Sequence, residues 1–433
     1  MRMPRRALLI SAACTSAVLA VGIPSPASAI DGPDTRRVQV VMVNFTDSSF
    51  KDPAKSKAAL QKAYFGKADS LTSYYNEVSN GAATFKPAAD GDEGVVGPID
   101  LPIPGAGCDN DKIHSETQKA LEQQGIGWDD FEHMSIVFPN DTAKCGYGGL
   151  GSVGGGNTWV PVSGDGGSAD LTVLVHEFGH NFGYQHQMRY ACTGIDLATC
   201  KDTQTTSHKT PMGGGTNVAG LSAPELIHAK WLSLKEAPKV TKSQTYRLRS
   251  LYGKGGGVRA LDLPIGDDRL VVEMRSASGT LDKGLEGIHA YRVPQGHYDA
   301  SSMVDITPKT DHWAGSDTPS GDALAAGKSL TDKAHKVEVR VLKSEGGEAT
   351  VAVSLNGVPA PASARQDVAP QSEGAAPAAS SDGKSDEDLA ATGGDSGTTM
   401  SIAAGGVVFL ALGGAFVIKS MRSRRRSASR HAR

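Results

Sequence analysis

One segment of sixteen residues constrains the fold more than any other part of the chain. Residues 171–186 read LTVLVHEFGHNFGYQH. Apolar side chains recur there at helical spacing, and Gly183 can adopt the positive φ that ends a helix. The segment therefore predicts a buried helix followed by a tight turn.

Three histidines of this segment have the spacing of metal ligands. His176 and His180 are four residues apart, so a helix places both imidazoles on one face, and the turn brings His186 back as a third ligand. Three His ligands leave one coordination position open, which predicts one catalytic Zn²⁺. Glu177 can then serve as general base towards a water at the metal. Three incidental histidines, or a zinc site without activity, are the alternatives.

These residues resemble the metzincin clan, in which HExxHxxGxxH is followed by a turn that contains a methionine. Residues 208–214 read HKTPMGG and would form that turn, with Met212 beneath the ligands. The likeness is to the gametolysin group and the immune inhibitor A-type proteases, and it covers residues 37–234. It implies a zinc metalloendopeptidase.

The resemblance also implies a mechanism. Zinc would lower the pKa of its water and polarise the scissile carbonyl, while Glu177 would take the water proton and return it to the leaving amine. Some metzincins carry a tyrosine two residues after the turn methionine, but Gly214 stands there in this chain, so no help from that position is implied. Tyr184 and Tyr190 are other possible donors, although a packing role is favoured for Tyr184.

The two ends of the chain predict export and anchoring. Residues 1–29 carry basic, apolar and small-residue blocks in the order of a secretory signal peptide. At the other end Leu389, Thr392 and Gly393 belong to an LAATG pentapeptide, which precedes an apolar segment (400–419) and a basic tail (420–433). An uncleaved N-terminal anchor is the alternative for the first segment.

This C-terminal order resembles the cell-wall sorting signal of Gram-positive bacteria, in the LAxTG form of some actinobacterial sortases. It implies that a sortase cleaves between Thr392 and Gly393 and joins Thr392 to peptidoglycan on the outer surface. A plain transmembrane anchor is the alternative.

The body between the ends is predicted to be α+β. Residues 30–238 mix helical and strand patterns and would form the catalytic domain. For this domain the metzincin resemblance implies a mixed twisted sheet with an antiparallel edge strand plus helices. Residues 158–162 contain Pro161, which favours a sheet edge able to pair with an extended peptide. Strand patterns in residues 239–356 predict a β-sandwich-like accessory domain. Residues 357–388 lack large apolar side chains and read as a flexible stalk.

The chain has five cysteines, and Cys14 would leave with the signal peptide. Two disulfides are expected outside the cell. Three pairings are possible; Cys192 with Cys200 and Cys108 with Cys145 are favoured, because the first pair closes a short loop. Four free thiols are the alternative.

Charge and composition exclude little else. A net charge of −3 with mixed charges argues against nucleic-acid binding. His289, His297 and His312 lack ligand spacing, and residues 90–92 (DGD) are only a weak Ca²⁺ candidate, so no structural Ca²⁺ is supported. The predicted partners are protein or peptide substrates, a sortase and the wall or membrane, with a monomeric chain. Besides an endopeptidase, a wall-anchored binding protein or a hydrolase of wall cross-links remains open.

Overall fold

The computed structural model describes residues 34–88, 94–307, 322–362 and 389–392. The helices in these ranges are α1 (Pro53–Phe65), α2 (Leu71–Val78), α3 (Asn110–Gln123), α4 (Asn140–Ala143), α5 (Leu171–Asn181) and α6 (Ala223–His228). The strands of the first half are β1 (Asp34–Asn44), β2 (Ala83–Pro87), β3 (Val95–Asp100), β4 (His133–Pro139), β5 (Gly149–Ser152), β6 (Asn157–Val162), β7 (Met188–Cys192) and β8 (Cys200–Thr206).

The strands of the second half are β9 (Gln244–Arg249), β10 (Ala260–Ile265), β11 (Asp268–Arg275), β12 (Gly287–Val293), β13 (Ser302–Asp305), β14 (Ser329–Asp332), β15 (Val337–Glu345), β16 (Glu348–Ser354) and β17 (Leu389–Thr392). Helices and strands thus mix as predicted, with far more strand than helix, and the α+β class is confirmed.

A seven-stranded sheet forms the frame of the first half. Its order is β17-β5-β6-β4-β1-β2, and β3 pairs with β1 on both sides of a bulge between Val41 and Val43. β1 runs parallel to β2, β3 and β4, whereas β5 and β17 are antiparallel additions at one side. Val40 and Met42 pack into the core on one face of the sheet, and Val41 and Val43 into the core on the other. Both faces are covered, which explains the unbroken apolar run of β1.

The expectation that residues 158–162 form a sheet edge is wrong. β6 contains them and lies between β4 and β5. Pro161 is tolerated because it lies beyond Thr158 and Trp159, the two residues that pair with β5. On this side of the sheet β5, within a glycine-rich stretch, follows β6, and β17 is the outermost strand.

Two further sheets share one hydrophobic core in the second half. Their orders are β10-β11-β12-β13-β7-β8 and β14-β15-β16-β9. Strands form between residues 239 and 356, as the patterns there predict. β7 and β8 come from before residue 239, so the six-stranded sheet joins both sides of the predicted domain boundary.

Several predictions fall outside the described residues. These are the signal peptide (1–29), residues 363–388 of the stalk, Gly393, the apolar segment (400–419), the basic tail (420–433), residues 90–92 and His312. In the part of the chain that the structure describes, no helix is long and apolar enough to cross a membrane.

Candidate metal centre

The predicted helix is α5, and its ends follow from local chemistry. The Asp170 side chain accepts a hydrogen bond from the Thr172 amide (2.7 Å) and caps the N-terminus. Gly183 at φ +92° supports the turn after the C-terminus. Leu174 and Phe178 are fully buried in the core beneath the seven-stranded sheet. The caps and the buried side chains therefore fix the position of the helix without help from a ligand.

The three predicted ligands converge. Nε2 of His176 lies 3.0 Å from Nε2 of His180 and 3.1 Å from Nε2 of His186. One ring nitrogen from each of the three lies within 4.8 Å of the others. Within the described ranges this is the one group of three or more His, Cys, Asp or Glu side chains close enough to share an ion. The structure thus brings together all three histidines that the sequence singled out.

The other ring nitrogens fix the tautomers of two ligands. His176 Nδ1 lies 2.8 Å from the Pro211 carbonyl oxygen, and His180 Nδ1 lies 2.7 Å from that of Tyr184. A carbonyl can only accept, so each Nδ1 carries the proton and each Nε2 presents a lone pair. Two lone pairs 3.0 Å apart repel unless a cation or a proton lies between them.

Burial disfavours the proton. Desolvation, followed by the neighbouring rings, holds the pKa of His176 well below its usual range and lowers that of His180 to about 3. Desolvation also lowers the pKa of His186. Three neutral imidazoles with convergent Nε2 atoms, two of them oriented by backbone carbonyls, are a donor set that fits one Zn²⁺.

Glu177 is buried beside this group, directly beneath β5. A Cβ atom on Gly149 would lie 2.7 Å from Glu177 Oε1, and one on Gly151 would lie 2.5 Å from the Glu177 carbonyl oxygen and 3.1 Å from the His180 Cβ. Only glycine allows so close an approach. β5 therefore runs across the helix at the predicted general base.

Hydrogen bonds hold β5 on the helix. Asn181 Nδ2 donates to the carbonyl oxygens of Ser152 (3.0 Å) and Asn157 (3.1 Å). The Gly154 amide donates to the His180 carbonyl oxygen (2.8 Å). All these groups lie at the C-terminal end of α5 or in the β5–β6 hairpin, so the strand and the helix form one unit.

Met212 lies under α5, where the resemblance placed it. It is fully buried, and its Sδ would be 2.2 Å from a Cβ on Gly179, the residue before His180. Pro211, which accepts from His176, belongs to the same turn. Gly214 follows at φ +84°. The turn thus supports two ligand positions of the helix.

The tyrosines considered as donors have other surroundings. Tyr184 is buried among aromatic rings, 5.6 Å from that of His228, and burial raises its pKa well above the usual value. Tyr190 lies on β7, with the Arg292 guanidinium 5.0 Å from its ring centre. Packing accounts for both side chains.

The structure forms Cys108–Cys145 and Cys192–Cys200, the pairing favoured from the sequence. Cys192 and Cys200 also face each other in the β7–β8 pair. His289, one of the other histidines considered, is buried, with Nε2 2.8 Å from the Leu285 carbonyl oxygen.

The sequence did not reveal a second buried polar cluster, centred on Arg275 of β11. The guanidinium contacts Glu273 Oε1 (3.2 Å) and Asp282 Oδ1 (2.7 Å). It also donates to the carbonyl oxygens of Lys209 and Gly220 (3.0 Å each), which flank the Met212 turn. In the sequence, the only sign of this cluster is that two inward positions of the strand LVVEMR (270–275) carry charged residues, Glu273 and Arg275.

Glu225 ties the same turn to α6. Its carboxylate accepts from the Ser222 amide (2.6 Å) and from the Thr210 hydroxyl (2.9 Å). Burial raises the pKa of Glu225 to about 7, against the opposing effect of these hydrogen bonds. Residues of the second half and α6 therefore hold the turn in place.

A family model described as gametolysin peptidase M11 matches residues 37–208, which include His176, Glu177, His180 and His186. This is a family of metallopeptidases, so the match supports a peptidase and a bound metal. No curated protein sequence matches the chain.

Two solved structures are similar in part. They are catalytically inactive OgpA from Akkermansia muciniphila in complex with an O-glycopeptide (glycodrosocin) substrate, and wild-type OgpA from the same organism. Identities are 11% and 12%, each match covers 63% of this chain and 92% of the other, and both TM-scores are 0.30. Scores this low support no argument about fold or function.

Proposed function

We propose that this protein is a zinc-dependent endopeptidase of the metzincin type. The observation that carries the proposal is the convergence of three neutral imidazoles around one point, with Glu177 on the same buried helix. The gametolysin match over residues 37–208 supports peptide-bond hydrolysis. Met212 beneath α5 supports the metzincin type.

In this proposal each residue of the site has a separate role. His176, His180 and His186 hold the metal through Nε2, and the carbonyl partners of the first two keep the rings oriented. Zn²⁺ held there would supply Lewis-acid catalysis and would lower the pKa of the attacking water. The Glu177 carboxylate accepts a proton from that water and passes it to the leaving nitrogen.

The place of action belongs to the proposal too. The signal peptide in residues 1–29 and the LAATG motif support a secreted chain that a sortase or the apolar segment fixes to the outer face of a Gram-positive cell. Proteins or peptides near that surface are then the substrates. Mass spectrometry of muramidase-released chains tests the anchor: wall attachment predicts a chain that ends at Thr392 with peptidoglycan fragments joined to it.

The activity is tested with the purified full-length chain. Casein and a peptide library are digested by the native chain, by Glu177→Gln, and by Glu122→Gln, a matched control at an exposed position of α3. The zinc content of each is measured beside turnover, and a chelator is added and then reversed with Zn²⁺. We expect about one zinc per chain in all three, with turnover lost only in Glu177→Gln and in the chelated enzyme.

Zinc without turnover in the native chain would contradict the peptidase and favour a binding protein on a protease fold. Turnover that survives Glu177→Gln unchanged would contradict the role of Glu177.

A further inference from the structure

The last described segment of the chain, Leu389–Thr392, is part of the seven-stranded sheet. As β17 it pairs antiparallel with β5, in the register Leu389↔Ser152, Ala390↔Gly151, Ala391↔Leu150 and Thr392↔Gly149. These four residues are the first four of the LAATG pentapeptide. The same segment that resembles a sorting motif is thus an edge strand.

The position of this pairing matters, because β5 crosses the candidate metal centre. Gly149 and Gly151 are the residues whose missing side chains let β5 approach Glu177 and His180. β17 also contacts α5 directly. An extended segment therefore lies along the strand that borders the catalytic helix.

Edge pairing recognises peptide backbone. An exposed strand binds an extended peptide through main-chain hydrogen bonds, and pockets for alternate side chains add specificity. β5 is suited to this because Asn181 and the Gly154 amide fix its hairpin to α5. β17 pairs with the side of β5 that faces away from β6.

We propose that Leu389–Thr392 is a ligand of the protein's own peptide-binding strand and competes with peptide substrates for β5. This proposal rests on the peptidase function above and adds a ligand class to it: extended segments with small side chains, such as Ala-Ala-Thr. Residues 363–388 join β17 to the body, so docking is intramolecular. A tether of this kind gives an effective concentration on the order of millimolar, enough for a weak ligand to occupy its site.

Pairing of Leu389–Thr392 with β5 also affects processing by a sortase. The backbone of these four residues cannot pair with β5 and at the same time lie extended in the active site of a sortase. Docking on β5 and processing at Thr392 therefore exclude each other, and removal of the segment from β5 frees the strand for substrates.

The test uses the full-length chain with Ala390→Pro and Ala391→Pro together. Proline lacks the backbone donor, and the two positions are adjacent, so the pair disrupts the ladder whichever of them donates to β5. The matched control carries Ala378→Pro and Ala379→Pro, which add the same two prolines to the tether. Neither variant alters a proposed metal ligand or Glu177.

We expect the β17 variant to show a KM for a peptide substrate at least about twofold lower than that of the native chain, at unchanged kcat. The tether control should match the native chain. Equal KM values in all three chains would overturn the proposal while leaving the peptidase intact.

A binding measurement separates this proposal from the function on which it rests. All variants are remade with Glu177→Gln, and a fluorescent peptide of the sequence DLAATGG is titrated by anisotropy. We expect tighter binding to the β17 variant than to the chain with its own segment intact, whether or not the native chain hydrolyses peptides. Equal binding to both would overturn the docking even if the peptidase assay succeeds.

Hydrogen exchange gives a readout that needs neither substrate nor ligand. Amides of β5 that face β17 should exchange faster in the β17 variant than in the tether control. Unchanged protection in β5 would show that the segment does not pair there.

Discussion

Two buried polar clusters contact the Met212 turn, one through His176 and the other through Arg275, and they differ in how their charges and lone pairs are matched. Around Arg275, one cation meets two carboxylates, and backbone carbonyls accept from its two terminal nitrogens, while Nε has no hydrogen-bond partner. Around His176, acceptor nitrogens face one another at 3.0–3.1 Å. Both clusters are buried, except that His186 is half-buried.

The difference separates a structural cluster from a functional one. A buried charge is stable when ion pairs and hydrogen bonds satisfy it, and the Arg275 cluster meets most of that condition within the chain; Arg275 Nε and Asp282 Oδ2 are the exceptions. The histidine cluster needs a cation between its nitrogen lone pairs, and the chain itself does not supply one. A set of donors that match poorly with each other but well with a metal indicates a ligand site.

The largest effect is expected on catalysis, at the helix that carries the histidine cluster. In Glu177→Gln, loss of the carboxylate that moves the proton should lower kcat about 10²- to 10⁴-fold. Urea unfolding should change by less than about 1 kcal/mol, because the amide is nearly isosteric. A large loss of stability together with activity would place Glu177 in the structural class instead.

Arg275→Met should act in the opposite way, mainly on stability. It leaves Glu273 and Asp282 buried without their cation, which costs on the order of 3–5 kcal/mol of unfolding free energy. Arg249→Met is the control, since Arg249 is exposed and its nearest carboxylate oxygen, on Glu348, is 3.5 Å away. If the two variants unfold at the same urea concentration, the Arg275 cluster does not hold the fold.

Acid should lower the free energy of unfolding through protonation of His289. Desolvation lowers its pKa from 6.5 to about 4 in the folded chain, so the unfolded chain binds the proton first. The stability is present above pH 6.5 and is lost as pH falls from about 6.5 to about 4. The slope is about 1.4 kcal/mol per pH unit, or roughly 3 kcal/mol in total. His289→Gln should reduce the pH dependence of unfolding by that amount, and an unchanged slope would contradict the assignment.

The smallest effect is expected at the contact between α5 and the turn. Gly179→Ala would put a Cβ 2.2 Å from Met212 Sδ, and overpacking of this kind costs about 1–3 kcal/mol. We expect a lower melting temperature and weaker zinc retention. Gly194→Ala is the control, because its Cβ would have 3.8 Å to the nearest atom. Equal melting temperatures would show that Met212 does not press on the helix.

Much of this could be predicted from the sequence where local pattern and structure agree. The helical period of residues 171–182, the capping Asp170 and Gly183 define α5, and the ligand spacing follows from the helix itself. Alternating β-branched runs define most strands after residue 239. These features depend on neighbours in sequence, which a single chain displays.

The edge of the sheet could not be predicted for a physical reason. Gly149 and Gly151 have low strand propensity, and β5 exists because their bare backbone fits against Glu177 and His180. β17 follows a stretch without large apolar residues, and its partner is more than two hundred residues earlier. Arg275 likewise acquires its role only through contact with the distant Met212 turn.

The measurement that tests the central claim most directly is the metal content and zinc-edge X-ray absorption of the purified full-length chain. The account predicts about one zinc per chain, with three imidazole nitrogens in its first shell, and one imidazole fewer in His186→Ala. A chain that holds no zinc when zinc is supplied, or zinc whose shell does not change in His186→Ala, would contradict it.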